Sequence, residues 1–149
     1  MFCATIPSWV GVLGAFMNTE DLGKLALRLT LGVLLLFHGV HKVLEGIQPI
    51  KDMVAAHGMP ELLAYGVYLG EVVGPVLVIV GLFSRIGALL IVANMIVAVA
   101  LAGMGSLLKL DPYGGYALEL EAFFLFGALA IVLIGAGRFS VGGANGRWN

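Results

Sequence analysis

The sequence predicts an all-α membrane protein: an antiparallel bundle of four transmembrane helices with a short N-terminal segment and an interfacial helix. Three observations carry that prediction. Hydrophobic residues make up 60% of the chain, charged residues only 11%, and the mean hydropathy is +1.05, far from the balance of a soluble domain. Apolar runs of about 20 residues, the length a helix needs to cross hydrocarbon, fall at roughly 22–43, 62–83, 86–104 and 116–134. Helix-capping and turn-forming residues separate these runs, and little of the 149-residue chain lies outside them.

The first segment, Met1 to Asn18, is apolar but has no basic stretch of the kind that opens a secretory signal. Pro7, Trp9 and Gly11 interrupt it, and tryptophan favours the membrane interface, so it reads as a short surface-lying helix. Asn18-Thr19-Glu20-Asp21 then supplies capping side chains and first-turn acids. The first span follows and runs to about Glu45, where Gly46 and Pro49 end the helical pattern. Ile47, Ile50, Met53, Val54 and His57 recur at helical spacing, which predicts the interfacial helix.

Pro60 suits the first turn of the second span. Gly81 to Arg85 is a short connection, so spans two and three should be antiparallel neighbours. Asp111-Pro112-Tyr113-Gly114-Gly115 is a loop of turn-forming residues before the fourth span, and Gly135-Ala136-Gly137 ends that span. The whole reads as one integral-membrane domain: 1–21 leading in, 22–139 the bundle, and 140–149 a flexible glycine-rich tail. Lys24, Arg85, Arg138 and Arg147 gather on one side against Lys42, Lys51 and Lys109 on the other. That excess of one puts both termini in the cytoplasm.

Composition also excludes functions. A net charge of −1 offers no basic surface for nucleic acid. Cys3 is the only cysteine, so the chain has neither an internal disulfide nor a Cys-x-x-Cys pair. Any redox chemistry therefore belongs to a bound cofactor or a partner, and no intrinsic cofactor is expected.

Glu71 is the main candidate for function, because it sits midway along the second apolar run. A charge at that depth costs on the order of 2.5–3.5 kcal/mol or more, and usually faces a bundle interior, a cavity or a partner. It lies nine residues below the start of its span, roughly 14 Å at the helical rise. Pro75 cannot donate to the Glu71 carbonyl, which predicts a kink and a free acceptor there. Gly66, Gly70 and Gly74 form a stripe along which another helix could pack closely.

His38, His41 and Glu45 follow an i, i+3, i+7 pattern near the outer end of the first span. The expected arrangement is an outward-facing polar pocket with His38, His41 and Glu119 near its mouth and Glu71 at its floor. There Glu71, His38 and His41 are candidates for handling protons, since histidine titrates near neutral pH. Glu119 and Glu121, two residues apart, cannot both face the interior, and Glu119 is the expected pocket residue. Asn94 shares a face with Gly87 and Ala98, as an interhelical hydrogen bond in a tight seam would. Arg28 is either a snorkelling interface anchor or a buried partner for Glu71. A metal held by His38, His41 and Glu45 is the weaker alternative for those three residues.

Several short motifs in order resemble the DoxX family of small four-helix bacterial membrane proteins, over roughly Leu25 to Gly143. They are Arg28 within Leu27-Arg28-Leu29, then His38-Gly39-Val40-His41-Lys42 and Gly58-Met59-Pro60. The Gly70-Glu71 pair with Gly74 follows, then Gly81 with Arg85, and Gly135-Ala136-Gly137-Arg138-Phe139-Ser140 closes the set. The family's closing motif usually continues to an aspartate, where this chain has Val141-Gly142-Gly143. The resemblance implies a link to thiosulfate:quinone oxidoreductase and terminal-oxidase systems, or to oxidative-stress and thiol-redox assemblies. It carries Arg28, His38, Lys42 and Glu71 over as ligand-binding residues, beside His41, Asn94 and Glu119.

The leading expectation is a membrane subunit of a quinone-linked redox complex that is not catalytic alone. Membrane lipid, another membrane or redox subunit, and a second copy of the chain are its expected partners. The alternatives are a non-enzymatic assembly or small-solute binding protein, and a proton or solute pathway through Glu71. Four helices without an inverted repeat weigh against a stand-alone transporter.

Overall fold

The computed structural model describes residues 19–143, 146, 148 and 149, so the surface-lying helix expected over residues 1–18, and Arg147, lie outside the described residues. What is described is helical. Helix α1 spans Thr19–Glu45 and a short α2 spans Gln48–Ala56. Helix α3 runs Glu61–Val80, α4 runs Ser84–Ser106, and α5 runs Glu119–Ile134. There is no strand among the described residues, only an isolated antiparallel bridge from Leu110 to Tyr116 that closes the loop before α5. Helices α1, α3 and α4 are each long and apolar enough to cross a membrane. At 16 residues, α5 is shorter than the expected fourth run, because Tyr116 to Leu118 belong to the turn that precedes it.

Neighbouring helices run antiparallel, and small residues set how closely they approach. A Cβ at Gly32 would press on Ile79, and one at Gly39 would stand 2.0 Å from the Glu71 carbonyl oxygen, so the C-terminal half of α1 packs backbone to backbone on α3. Gly74 and Gly87 meet the same way between α3 and α4. Helix α5 packs on α4 and α1. The interior is one apolar core in which Leu31, Leu35, Val78, Ile91, Phe124 and Ile131 are buried. The outer faces carry exposed Phe37, Leu44, Phe126 and Leu133, as a surface meeting lipid tails should.

The loop before α5 is built on Asp111, whose Oδ1 accepts from the backbone N–H groups of Tyr113 and Gly115, both at 2.8 Å. Helix α2 folds over the Glu61 end of α3 and the Ser106 end of α4, burying Ile47 and Val54 against Ala64, with Met59, Val67 and Leu101 packed around them.

The described residues of the tail lie against the α3–α4 turn. Val141 and Gly142 donate to the carbonyls of Val80 and Gly81. The Asn149 side chain is buried, accepting from Ser84 Oγ at 3.0 Å and donating to Ser140 Oγ at 2.8 Å. Glycines alone suggest a loose chain, but here they let backbone lie flat against the α3–α4 turn and pair with it.

Candidate functional site

Three elements converge on Glu71. The close seat of Gly39 on α3 brings Lys42, one turn further along α1, within reach of the Glu71 carboxylate. Lys42 Nζ donates to both its oxygens at 2.5 Å. From the other side, Gly70 leaves room for Asn94: a Cβ there would stand 2.2 Å from that of Asn94. Asn94 Nδ2 donates to Glu71 Oε1 at 3.3 Å. Tyr68 Oη donates to the Lys42 carbonyl at 3.2 Å, tying α3 to the C-terminal end of α1. Glu71 is only 5% exposed. Stripping a carboxylate of water at this depth is tolerable because an ammonium and an amide replace that water.

The backbone around Glu71 is not a regular α-helix. Leu69–Val73 forms a π-helical turn in which the Gly74 N–H reaches back five residues to the Leu69 carbonyl. Pro75 explains why the chain widens here, since its nitrogen has no hydrogen to give the Glu71 carbonyl in the α pattern. A second π-helical turn, Val99–Gly103, lies in α4. Single π-turns of this kind are frequent at functional sites.

Both π-turns border one cavity of about 510 Å³ between α3 and α4. Lys42, Glu71 and Asn94 form one polar end, and Ile50, Met53 and Val54 of α2 cover it from the outside. Apart from those three polar side chains, the lining is aliphatic, methionine and glycine. Among the lining residues Leu63, Leu69 and Val97 are more than half exposed, so the cavity opens sideways onto the lipid-facing surface between the two helices. The glycine stripe of α3 is divided: Gly70 and Gly74 meet α4, whereas Gly66 has nothing within 4 Å and borders the cavity.

The structure therefore brings Lys42, Glu71 and Asn94 together and places the other candidates elsewhere. His38 is exposed, its Nδ1 3.0 Å from the Leu34 carbonyl and its ring edge-on to Phe124 at 5.8 Å. His41 and Glu45 are exposed too. Each histidine is one position out of phase with Gly39 and Lys42, about 100° round the helix. When the glycine and lysine face α3, the histidines turn outward instead of lining a pocket mouth. No group of three or more His, Cys, Asp or Glu that could hold a metal occurs among the described residues, and His38, His41 and Glu45 are not gathered into one.

Glu119 is exposed at the start of α5, its carboxylate lying over the Asp111–Gly115 turn. It misses the cavity because α5 packs on α4 and α1, across the bundle from the Glu71 carboxylate. Glu121 borders a separate cavity of about 120 Å³ beside Val99 and Leu118.

Arg28 neither snorkels nor meets Glu71. It is 1% exposed and donates to four carbonyls: Nε to Val78 at 2.9 Å, Nη1 to Ala136 at 2.7 Å and to Phe139 at 3.0 Å, and Nη2 to Ile79 at 3.0 Å. It holds the last turn of α3 to the segment after α5, at the opposite end of the bundle from Lys42. Gly81, at φ +75°, makes room for it, since a Cβ there would stand 2.3 Å from Nη2.

Tyr68, Met53 and Val54 were not singled out as site residues. Tyr68 is three residues before Glu71, on the same face, a signal the sequence did contain. The cover supplied by α2 depends on how the loops fold and has no such signal.

The chain is similar to a Bacillus subtilis (strain 168) protein named "Putative oxidoreductase CatD", with 28% identity over 116 residues, 78% of this chain and 81% of that protein. No solved structure matches it. Residues 23–104 match DoxX, a stretch that begins in the first turns of α1, takes in Lys42, Glu71 and Asn94, and ends in α4. That is more than half of the sequence, and the chain belongs to the DoxX family.

Proposed function

We propose that this protein is a membrane subunit of a redox-associated assembly, and that it binds a quinone-like amphiphile in the cavity between α3 and α4. The observation that carries the proposal is chemical asymmetry: one end of an otherwise apolar cavity holds an ammonium, a carboxylate and an amide. Ligand sites combine apolar walls with a few convergent polar groups in this way, and about 510 Å³ falls in the usual range for a compact ligand. A ring with oxygen substituents could hydrogen-bond to Lys42 and Asn94 while its hydrocarbon lies along Leu69, Leu90 and Val97. The name of the Bacillus subtilis relative and the DoxX membership agree with a redox context. With one cysteine in the chain, electrons would come from a partner.

In this reading α5 is the fourth crossing, α2 lies at the outer interface, and both termini face the cytoplasm of the inner membrane. Lys24, Arg85 and Arg138 then share the cytoplasmic end. Labelling of single cysteines at Lys109 and Arg138 with a membrane-impermeant maleimide in spheroplasts should modify only the first.

The binding reading is tested by purifying the protein in mild detergent and analysing extracted lipids by mass spectrometry. A stoichiometric quinone is expected with the wild type and His41→Ala, and a clearly smaller amount with Glu71→Gln. Recovery of equal amounts from Glu71→Gln and wild type would refute the site.

One observation favours an additional role in assembly. His38 and His41 are exposed on the outer surface of a membrane helix, where polar groups are costly without a partner. A second membrane subunit at that face would relieve the cost. Crosslinking from a photoreactive residue at Phe37 should then give a discrete adduct.

A further inference from the structure

The donors and acceptors at Glu71 are unequally used. The carboxylate is acceptor-only, with about four lone-pair positions. Lys42 takes one on each oxygen and Asn94 takes one on Oε1, which leaves capacity on Oε2. Lys42 has a third N–H beyond the two directed at Glu71. Both residues line the cavity, so what the polar end offers an incoming molecule is an unfilled acceptor beside a spare donor.

That pairing discriminates between ligands. A molecule whose oxygens only accept, such as a quinone ring, can satisfy Lys42 but sets its lone pairs against a carboxylate that water scarcely reaches. A hydroxyl group both gives and receives, so it can donate to Glu71 Oε2 while accepting from Lys42 Nζ. Sites that hydrogen-bond a hydroxyl discriminate strongly against analogues lacking it, because buried polar groups are then left unpaired. The rest of the cavity adds a second requirement. Its apolar walls lead from the polar end to the sideways opening beside Gly66, Leu69 and Val97, which suits a hydrocarbon chain running out into lipid.

We infer that the cavity selects an alkylated hydroxy-aromatic, taken up from the bilayer between α3 and α4, and prefers the hydroquinone to the quinone form of the same molecule. The inference rests on the binding reading above and adds the chemical form of the ligand. Binding itself moves no electron and transfers no proton: the ligand hydroxyl keeps its hydrogen and donates it to Oε2.

The test is an anaerobic thermal-shift titration of the detergent-purified full chain with decyl-substituted benzohydroquinone, the matching quinone, and the hydroquinone dimethyl ether. The hydroquinone should bind at least tenfold more tightly than the quinone, and the ether, which has no O–H, should be no better than the quinone. In Glu71→Gln, whose amide can donate as well as accept, the preference should fall to about twofold or less. Equal affinity for hydroquinone and quinone, or tighter binding of the quinone, overturns the inference while leaving the binding reading intact. No shift with any of the three overturns both. Unsubstituted hydroquinone matching the decyl compound would overturn the requirement for a chain. The wild-type comparison decides the main point even if Glu71→Gln fails to fold.

Discussion

Among the described residues two charged side chains are buried, one toward each end of the bundle, and they are accommodated in opposite ways. Arg28 is wrapped in backbone: four carbonyls, from the last turn of α3 and the segment after α5, take its guanidinium hydrogens, and it lines neither of the two cavities described above. Glu71 is held by side chains, Lys42 and Asn94, and its pair borders an open apolar cavity. Helix C-termini concentrate negative dipole and unpaired carbonyls, so an arginine there completes hydrogen bonds the fold would otherwise lack. A carboxylate held by flexible side chains beside empty space can exchange partners. Of two buried ions in one chain, the first has the arrangement of a fastener and the second that of a site.

The comparison can be broken at several points. Arg28→Ala should have the largest effect, above about 4 kcal/mol, because several buried carbonyls lose their donors at once. Size-exclusion chromatography in detergent should show loss of the monodisperse peak. Arg28→Lys should not restore it, since an ammonium lacks the planar fork that reaches carbonyls on two segments. Survival of either variant as a well-folded species would remove the distinction between the two ends.

Next in size, Lys42→Ala leaves a buried carboxylate without its cation, a change that costs about 3–5 kcal/mol in a fully buried pair and less here, because the Lys42 side chain is 27% exposed. Lys42→Met combined with Glu71→Gln removes both charges and should recover most of the lost melting temperature. Failure to recover would mean that the pair, like Arg28, mainly fastens the fold. Gly39→Ala should cost about 1–3 kcal/mol by forcing α1 off the Glu71 carbonyl. It should also weaken ligand binding more than an equally destabilising change in the far core such as Ile131→Val. Lower on the scale, His41→Ala should move stability within about 0.5 kcal/mol and leave the cavity's ligand bound.

The smallest expected effect is at Lys51, whose ammonium lies 4.8 Å from the centre of the Tyr65 ring. Hydrogen bonding to Tyr65 pushes its pKa above the ordinary lysine value. A raised pKa in the folded state stabilises below the unfolded value and is lost as pH rises through the folded one. Melting temperature differences between wild type and Lys51→Ala should therefore be constant through neutral pH and vanish only in strong alkali.

The long helices were legible in the sequence because twenty apolar residues in a row have few other uses, and Glu71 was legible because it breaks such a row. Its partners were harder to read. Lys42 stood at the end of its span among ordinary interface charges, and only the seat of Gly39 on α3 shows which way its side chain reaches. Asn94 could be read as an interhelical hydrogen bond, but not with which residue. The histidines misled for a related reason: their spacing correctly put them on one face of α1, and nothing in it told which face met α3. Arg28 reads from the sequence as either a snorkelling anchor or a partner for Glu71, whereas its partners are carbonyls, which every residue possesses and no sequence pattern marks.

The π-helical turn at Leu69–Val73 also has a consequence for change over generations. Such a turn amounts to one residue more than a regular helix would hold, so the faces of α3 before and after it are offset by about 100°. Losing one residue between Leu69 and Pro75 would leave nearly all the composition intact, yet would swing Ala64 and Val67 away from their neighbours relative to Val78. The geometry at Glu71 is thus encoded in a residue count as well as in residue types, and a lineage that kept every side chain but shortened this stretch would lose it.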